Sequence, residues 1–107
     1  MDRTILIKLF DIYKDLLTER EKEIFSYYYE EDLSLMEIAT NLSISRSAVS
    51  KIVNNVTNKL NDYESKLHIY YKKQDILRLL EEKNYQKIKE SLDWFLYFFY
   101  FVSKFFL

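Results

Sequence analysis

The sequence predicts an all-α fold: an N-terminal helix-turn-helix core without a wing, a long helix after it, and a C-terminal helical pairing region. Three observations predict it. The 107 residues contain no Gly and no Pro, which disfavours tight hairpins and leaves long helices uninterrupted. Apolar residues recur three and four apart along most of the chain, the period of a helix with one buried face. Twice, a Ser or Thr stands three residues before a Glu where such a run begins, which is a helix-start signature. The length suits one continuous domain, with residues 1–60 as the core and 61–107 as a helical extension. So short a chain has a modest core, and dimerisation would add to its stability.

The first helix is expected in MDRTILIKLFDIYKDLL, with Ile5, Leu6, Leu9, Ile12, Tyr13 and Leu16 on its apolar side. Charges interrupt the apolar residues, so the segment does not read as a signal peptide. Thr18 and Glu21 form a capping box for a second helix, about Glu19 to Glu30, that turns Ile24, Phe25 and Tyr28 inward. Glu30, Glu31 and Asp32 end it. Ser34 and Glu37 form the second capping box, before a short helix striped by Leu35, Ile38, Ala39 and Leu42. SIS, at 43–45, is the turn, and Ser45 is an N-cap for a fourth helix. Val49, Ile52, Val53, Val56, Leu60, Tyr63, Leu67 and Tyr70 carry that helix on without a break. Its repeat is close to seven, so the distal half is suited to pairing. A further amphipathic segment spans about Gln74 to Glu82, and Asn84 is the expected break before a last helix.

Composition excludes several function classes. With no Cys there is no disulfide frame and no thiolate chemistry, which suits a reducing cytoplasm. His68 is the single imidazole, and the carboxylates near it lack metal-ligand spacing. No Ser-His-Asp set, phosphate-binding loop or carboxylate pair stands out, so neither an enzyme nor a cofactor is expected. The load of Phe, Tyr, Lys, Asn and Ile is that of AT-rich coding. SYYYEED, at 26–32, reads as core and rim at helical spacing rather than as a stacking platform for single strands.

The net charge is −1, but it is unevenly spread. Residues 1–44 carry 5 basic and 10 acidic groups, residues 45–73 carry 6 and 2, and residues 74–107 carry 5 of each. The positive block begins inside SLMEIATNLSISRSAVSKIVNN, residues 34–55, and a local basic stripe is what matters for a polyanion. A DNA-reading helix pair must cross steeply, which needs a small residue at the crossing, and Ala39 supplies it. Ile38, Leu42 and Ile44 fill the apolar slots around it, and Val49 and Ile52 pin the second helix. The turn slot, which favours φ > 0 and usually holds Gly, is Ser43. Ser45, Arg46, Ser47, Ser50, Lys51 and Asn54 then face outward, and Lys59 follows as a phosphate candidate. Arg and Lys suit guanine edges or phosphates, Ser phosphates, and Asn adenine. DNA is therefore the expected partner.

The stretch LLTEREKEIFSYYYEEDLSLMEIATNLSISRSAVSKIV resembles the YlxM-type family of small bacterial proteins associated with the signal recognition particle. Leu16-Leu17-Thr18, Ile24-Phe25, Tyr28-Tyr29, Glu31 to Leu35, Glu37-Ile38-Ala39, Ile44-Ser45-Arg46 and Ala48-Val49 carry the likeness, and Tyr63 to Tyr70 extends it. The helix-turn-helix is similar, more broadly, to region 4 of bacterial sigma factors. The resemblance implies an all-helical homodimer with a regulatory or accessory role in the signal-recognition-particle pathway. Ser50 and Lys51 depart from the family's usual Tyr-Asp pair, and the apolar C-terminus departs from its charged one.

That C-terminus, WFLYFFYFVSKFFL at 94–107, is apolar on every side if helical. Fourteen residues are too few to cross a bilayer, which needs about 20. Its expected places are a dimer core, the membrane interface through Trp94–Leu107, or the apolar groove of a signal-recognition-particle protein. The alternative function is accordingly a helical adaptor that uses this segment and does not bind DNA.

Overall fold

A computed structural model describes the backbone of residues 2–106 and the side chains of residues 2–104. Leu107, the last residue of the expected interfacial segment, lies outside the described residues. All the regular elements described are helical: α1 (Arg3–Tyr13), α2 (Glu19–Phe25), α3 (Leu35–Leu42), α4 (Arg46–Leu67), α5 (Ile69–Glu81) and α6 (Tyr85–Phe106). They divide into two compact units, one ending at His68 and the other beginning at Ile69.

In the first unit the caps act where the sequence puts them. Thr18 Oγ1 accepts from Glu21 N at 3.2 Å, and Glu21 Oε1 accepts from Thr18 N at 2.9 Å. Ser34 and Glu37 repeat the reciprocal pair at 3.0 and 3.2 Å. Each box satisfies two amides that a helix start would otherwise leave without partners. Asp2 adds an N-cap to α1 by accepting from Thr4 N.

α1 buries Leu6, Leu9, Phe10 and Tyr13. Phe10, absent from the expected stripe, stacks on Phe25 at 4.5 Å between ring centroids. Leu16, expected inside, is 56% exposed. The reason is local: α1 stops at Tyr13, a 3-10 turn over Lys14–Leu16 rotates the chain, and Leu17 takes the buried place. The second helix also ends earlier than expected as an α-helix. From Ser26 to Glu30 the chain widens into a π-helical turn, and Asp32 then takes φ 57°. Arg3 fastens this corner by donating to Tyr29 O and to the Asp32 carboxylate.

α4 is the spine of the unit. Val49, Val53, Val56 and Leu60 form one buried stripe against α1, α2 and α3. Full burial of such a side chain contributes about 1.5–3 kcal/mol relative to leaving it in water. Polar ties finish the packing: Tyr13 Oη donates to Glu64 Oε1 at 2.6 Å, and the Lys59 ammonium meets Glu21 Oε2 at 2.6 Å. The helix does not run through Tyr70 as its apolar period suggests. It ends at Leu67, and His68 caps it in the left-handed region at φ 55°, ψ 28°. Apolar spacing continues past His68 because α5 has an apolar stripe of its own. Sequence periodicity alone does not register the single left-handed residue that ends the helix.

The second unit is a helical hairpin. α5 starts at Ile69, earlier than the expected Gln74. Lys83 turns the chain at φ 55°, Asn84 N donates back to Leu79 O at 2.9 Å, and Lys83 N donates to Leu80 O. This is the paired 6→1 and 5→2 closure of a helix C-terminus. Asn84 Oδ1 accepts from Lys87 N and starts α6, so the expected break is where the chain turns. Leu79 and Ser91 are the buried residues of the hairpin among those described.

Candidate nucleic-acid interface

The candidate interface is built by α3, the turn after it and the first half of α4. α3 needs a sharp stop, and Ser43 provides it at φ 56°, ψ 41°. Ile44 N donates to Ala39 O at 3.0 Å, so the turn is closed by the residue at the helix crossing. A left-handed backbone costs a side-chain-bearing residue about 1–2 kcal/mol, which is why Gly usually stands there. Ile38, Ala39, Val49 and Val53 are buried together with Ile24, and Leu42, Ile44 and Ile52 pack against them half-buried. The pattern of small and apolar residues in the sequence thus predicts the crossing.

Ser45 opens α4 in an extended conformation at φ −76°, ψ 154°, and its Oγ accepts from Ala48 N at 3.1 Å. That acceptor serves the helix first, so any anion at this end meets the remaining first-turn amides. Arg46, Ser47, Lys51 and Asn54 are exposed, and Ser50 is half-buried. At 100° per residue, Ser47, Lys51, Asn54 and Asn58 stack as one ridge opposite the buried valines. Asn58 was not among the candidates from sequence, although its place seven residues after Lys51 is the signal that finds it. It is exposed. Between Glu37 and Asp62 the sequence holds no carboxylate, so nothing on the ridge itself repels phosphate.

Lys59 is placed differently. It sits about a third of a turn round from the ridge, and its ammonium is engaged by Glu21 of α2. Glu21 uses both oxygens, one for the Thr18 amide and one for Lys59. Partial burial works against its ionised carboxyl, but the Lys59 ammonium and the Thr18 amide and hydroxyl outweigh that and hold its pKa below the usual value. The hydrogen bond to Glu21 raises the pKa of Lys59 in turn. The pair fastens α2 to α4 below the ridge.

Comparison with known proteins agrees with this architecture. Residues 1–94 match the family model UPF0122, described as "Putative helix-turn-helix protein, YlxM / p13 like". A UPF0122 protein of Mycoplasma capricolum subsp. capricolum is 35% identical over 106 residues, covering 91% of this chain and 94% of its own length. One from Symbiobacterium thermophilum is 42% identical over 85 residues, covering 79% of this chain and 75% of its own. One from Ureaplasma parvum serovar 3 is 41% identical over 88 residues, covering 79% and 89%.

Proposed function

This chain belongs to the UPF0122 family, and we propose that it is a cytoplasmic regulatory or accessory protein of the signal-recognition-particle pathway that binds DNA through its helix-turn-helix. On this reading it is a binding protein, not an enzyme. The supporting observation is the ridge of α4: exposed Ser47, Lys51 and Asn54, on a helix pinned from behind by Val49 and Val53, with Arg46 exposed at the helix start about a quarter-turn from the ridge. Arg46 and Lys51 would take phosphates or guanine edges, Asn54 adenine, and Ser45, Ser47 and Ser50 phosphates. Lys59 would first have to leave Glu21. A homodimer would offer two such helices to half-sites about 34 Å apart.

The test is fluorescence anisotropy of a labelled duplex from about 50 to 200 mM salt, where phosphate-based binding falls steeply. Arg46→Ala and Lys51→Ala are each expected to weaken binding and lower the salt slope by about one, whereas Lys59→Ala changes it less. No binding by the unaltered chain at the lowest salt would sink the DNA reading.

The second reading, a helical adaptor, rests on the exposed aromatic side chains of α6. An adaptor would lose its partner on truncation after Glu90 and would be indifferent to Arg46→Ala.

A further inference from the structure

α6 is built unlike the other helices. Its first half has a polar side, carrying Gln86, Lys89, Glu90 and Asp93, all exposed. From Trp94 to Val102 there is no polar residue other than the tyrosines. Leu96 is 68% exposed, Tyr97 71% and Tyr100 63%. These three lie within about 100° of one another, but Phe99 and Phe101, 39% and 44% exposed, widen the exposed apolar arc to about 200° of the helix, so this is not a single stripe. The hairpin gives little cover. α6 has 22 residues and α5 has 13, so α6 is about 13 Å longer than the helix it packs on. The family match ends at Trp94, where the all-round apolar run begins.

Two kinds of cover are physically different here. A second copy of the chain meets a helix along a seam, and the seam leaves the opposite side in water. Such a helix is stable when that opposite side is polar, and this one is not. A lipid interface covers a broader face than a seam does, because a helix lying in it sinks about 5–10 Å into the headgroup and acyl boundary. It also accepts tyrosine, whose ring is apolar and whose hydroxyl stays wet. No helix among the described residues is long and apolar enough to cross a membrane, so the fit is to the interface.

Charge points the same way. Lys72 and Lys73 of α5 stand at the rim of a shallow apolar groove formed with Ile69, Ile76, Leu92 and Phe95. The Lys72 ammonium lies 4.2 Å from the centre of the Trp94 ring, at the border of the apolar run. Lys104 reaches back over the Tyr100 ring at 5.7 Å. Lysines at the polar edge of an apolar helix reach headgroups while their stems remain among carbons. Each contributes about 1 kcal/mol at an anionic surface.

We propose that residues 94–104 of α6, flanked by Lys72 and Lys73, dock this protein on the interface of a bilayer containing anionic phospholipid. The site is separate from the α4 ridge and stands whether or not DNA binds there.

The experiment is flotation of the full chain with vesicles of phosphatidylcholine mixed with phosphatidylglycerol, and of phosphatidylcholine alone. Trp94, the single tryptophan, reports burial through a blue shift of its emission. The chain is expected to float with the anionic vesicles at low salt and to shift its emission, and to float far less with phosphatidylcholine alone. Leu96→Glu is expected to lower the bound fraction tenfold or more, since an apolar contact is replaced by a charge of the wrong sign. Lys72→Glu combined with Lys73→Glu is expected to remove the preference for anionic lipid, and Arg46→Ala to change nothing. All of these positions except half-buried Lys72 are exposed, and circular dichroism confirms that each variant keeps its helices. A chain that stays at the bottom of both gradients overturns the proposal. So does a sedimenting dimer that Leu96→Glu splits to monomer without any flotation, which would give the face to a second copy.

Discussion

Residues 2–68 draw Ile24, Phe25, Ile38, Val49, Val56 and Leu60 entirely out of water, while the hairpin after them leaves Leu96, Tyr97 and Tyr100 mostly in it. Both units are helical and both are rich in apolar residues. They differ in how many helices meet. α4 has α1, α2 and α3 on one side, so a stripe of four residues is covered along its length. α6 has α5 alone among the elements of its unit, and a helix pair has a single contact face. Apolar content in excess of that face stays exposed whatever its identity. Helical content therefore says little about how well a unit is closed, and the number of neighbours per apolar stripe says a great deal.

The largest expected break in this comparison comes from the closed unit. Phe25→Ala removes a ring stacked between Phe10 and Tyr29 and is expected to destabilise the chain by about 3–5 kcal/mol. Urea titration followed by circular dichroism measures it, and a loss under about 1 kcal/mol would mean that the core is looser than its burial indicates. A medium effect is expected at the caps. Thr18→Ala and Ser45→Ala each remove an N-cap acceptor and should cost about 1 kcal/mol in the same titration.

Glu21 adds a pH dependence to the closed unit. Its folded pKa is depressed, so between the folded and unfolded values the folded state binds fewer protons. The stability it contributes is present above its ordinary carboxyl pKa of 4.5 and is lost as pH falls through the folded value. Glu21→Gln should flatten this part of the acid unfolding curve, and an unchanged curve would show that the Lys59 contact is not maintained in solution. A smaller gain is expected at the turn. Ser43→Gly relieves a left-handed serine, about 1–2 kcal/mol, against about 0.5–1 kcal/mol of added glycine entropy, and should stabilise by up to about 1 kcal/mol. The smallest effect belongs to the open unit: Leu96→Ala should alter stability by no more than about 0.5 kcal/mol, because the side chain is 68% exposed. A loss comparable to that of Phe25→Ala would show that another molecule covers α6 in solution.

Much of the closed unit was legible in the sequence. Thr18 with Glu21, Ser34 with Glu37, and Ser45 are local signals whose partners lie three residues away, and all three caps form. Ala39 at the crossing and Ser43 in the turn were readable because the motif fixes their spacing. What escaped was irregularity. The 3-10 turn that exchanges Leu16 for Leu17, the π-helical turn at Ser26 and the left-handed His68 each interrupt the regular α-helical winding. Apolar period is blind to such interruptions. The outward positions Ser47, Lys51 and Asn54 followed from the period, and Asn58 could have, whereas Arg46 shares the side of Val49 and Val53 and is exposed at the first position of α4. The capture of Lys59 by Glu21 could not, because those residues are 38 apart in sequence and meet only when α2 lies across α4.

One feature of the backbone ties the molecule to its gene. Asp32, Ser43, His68 and Lys83 all hold the left-handed conformation, in a chain without a single glycine. Glycine codons begin with two guanines, and the composition here is that of AT-rich coding. Among the described residues, four left-handed positions that favour glycine are thus held by residues with a side chain. Each costs about 1–2 kcal/mol of backbone strain, which glycine would relieve at the expense of about 0.5–1 kcal/mol of added chain entropy. Transplanted into a GC-rich host lineage, this fold would have four ready routes to greater stability, none of which touches its core.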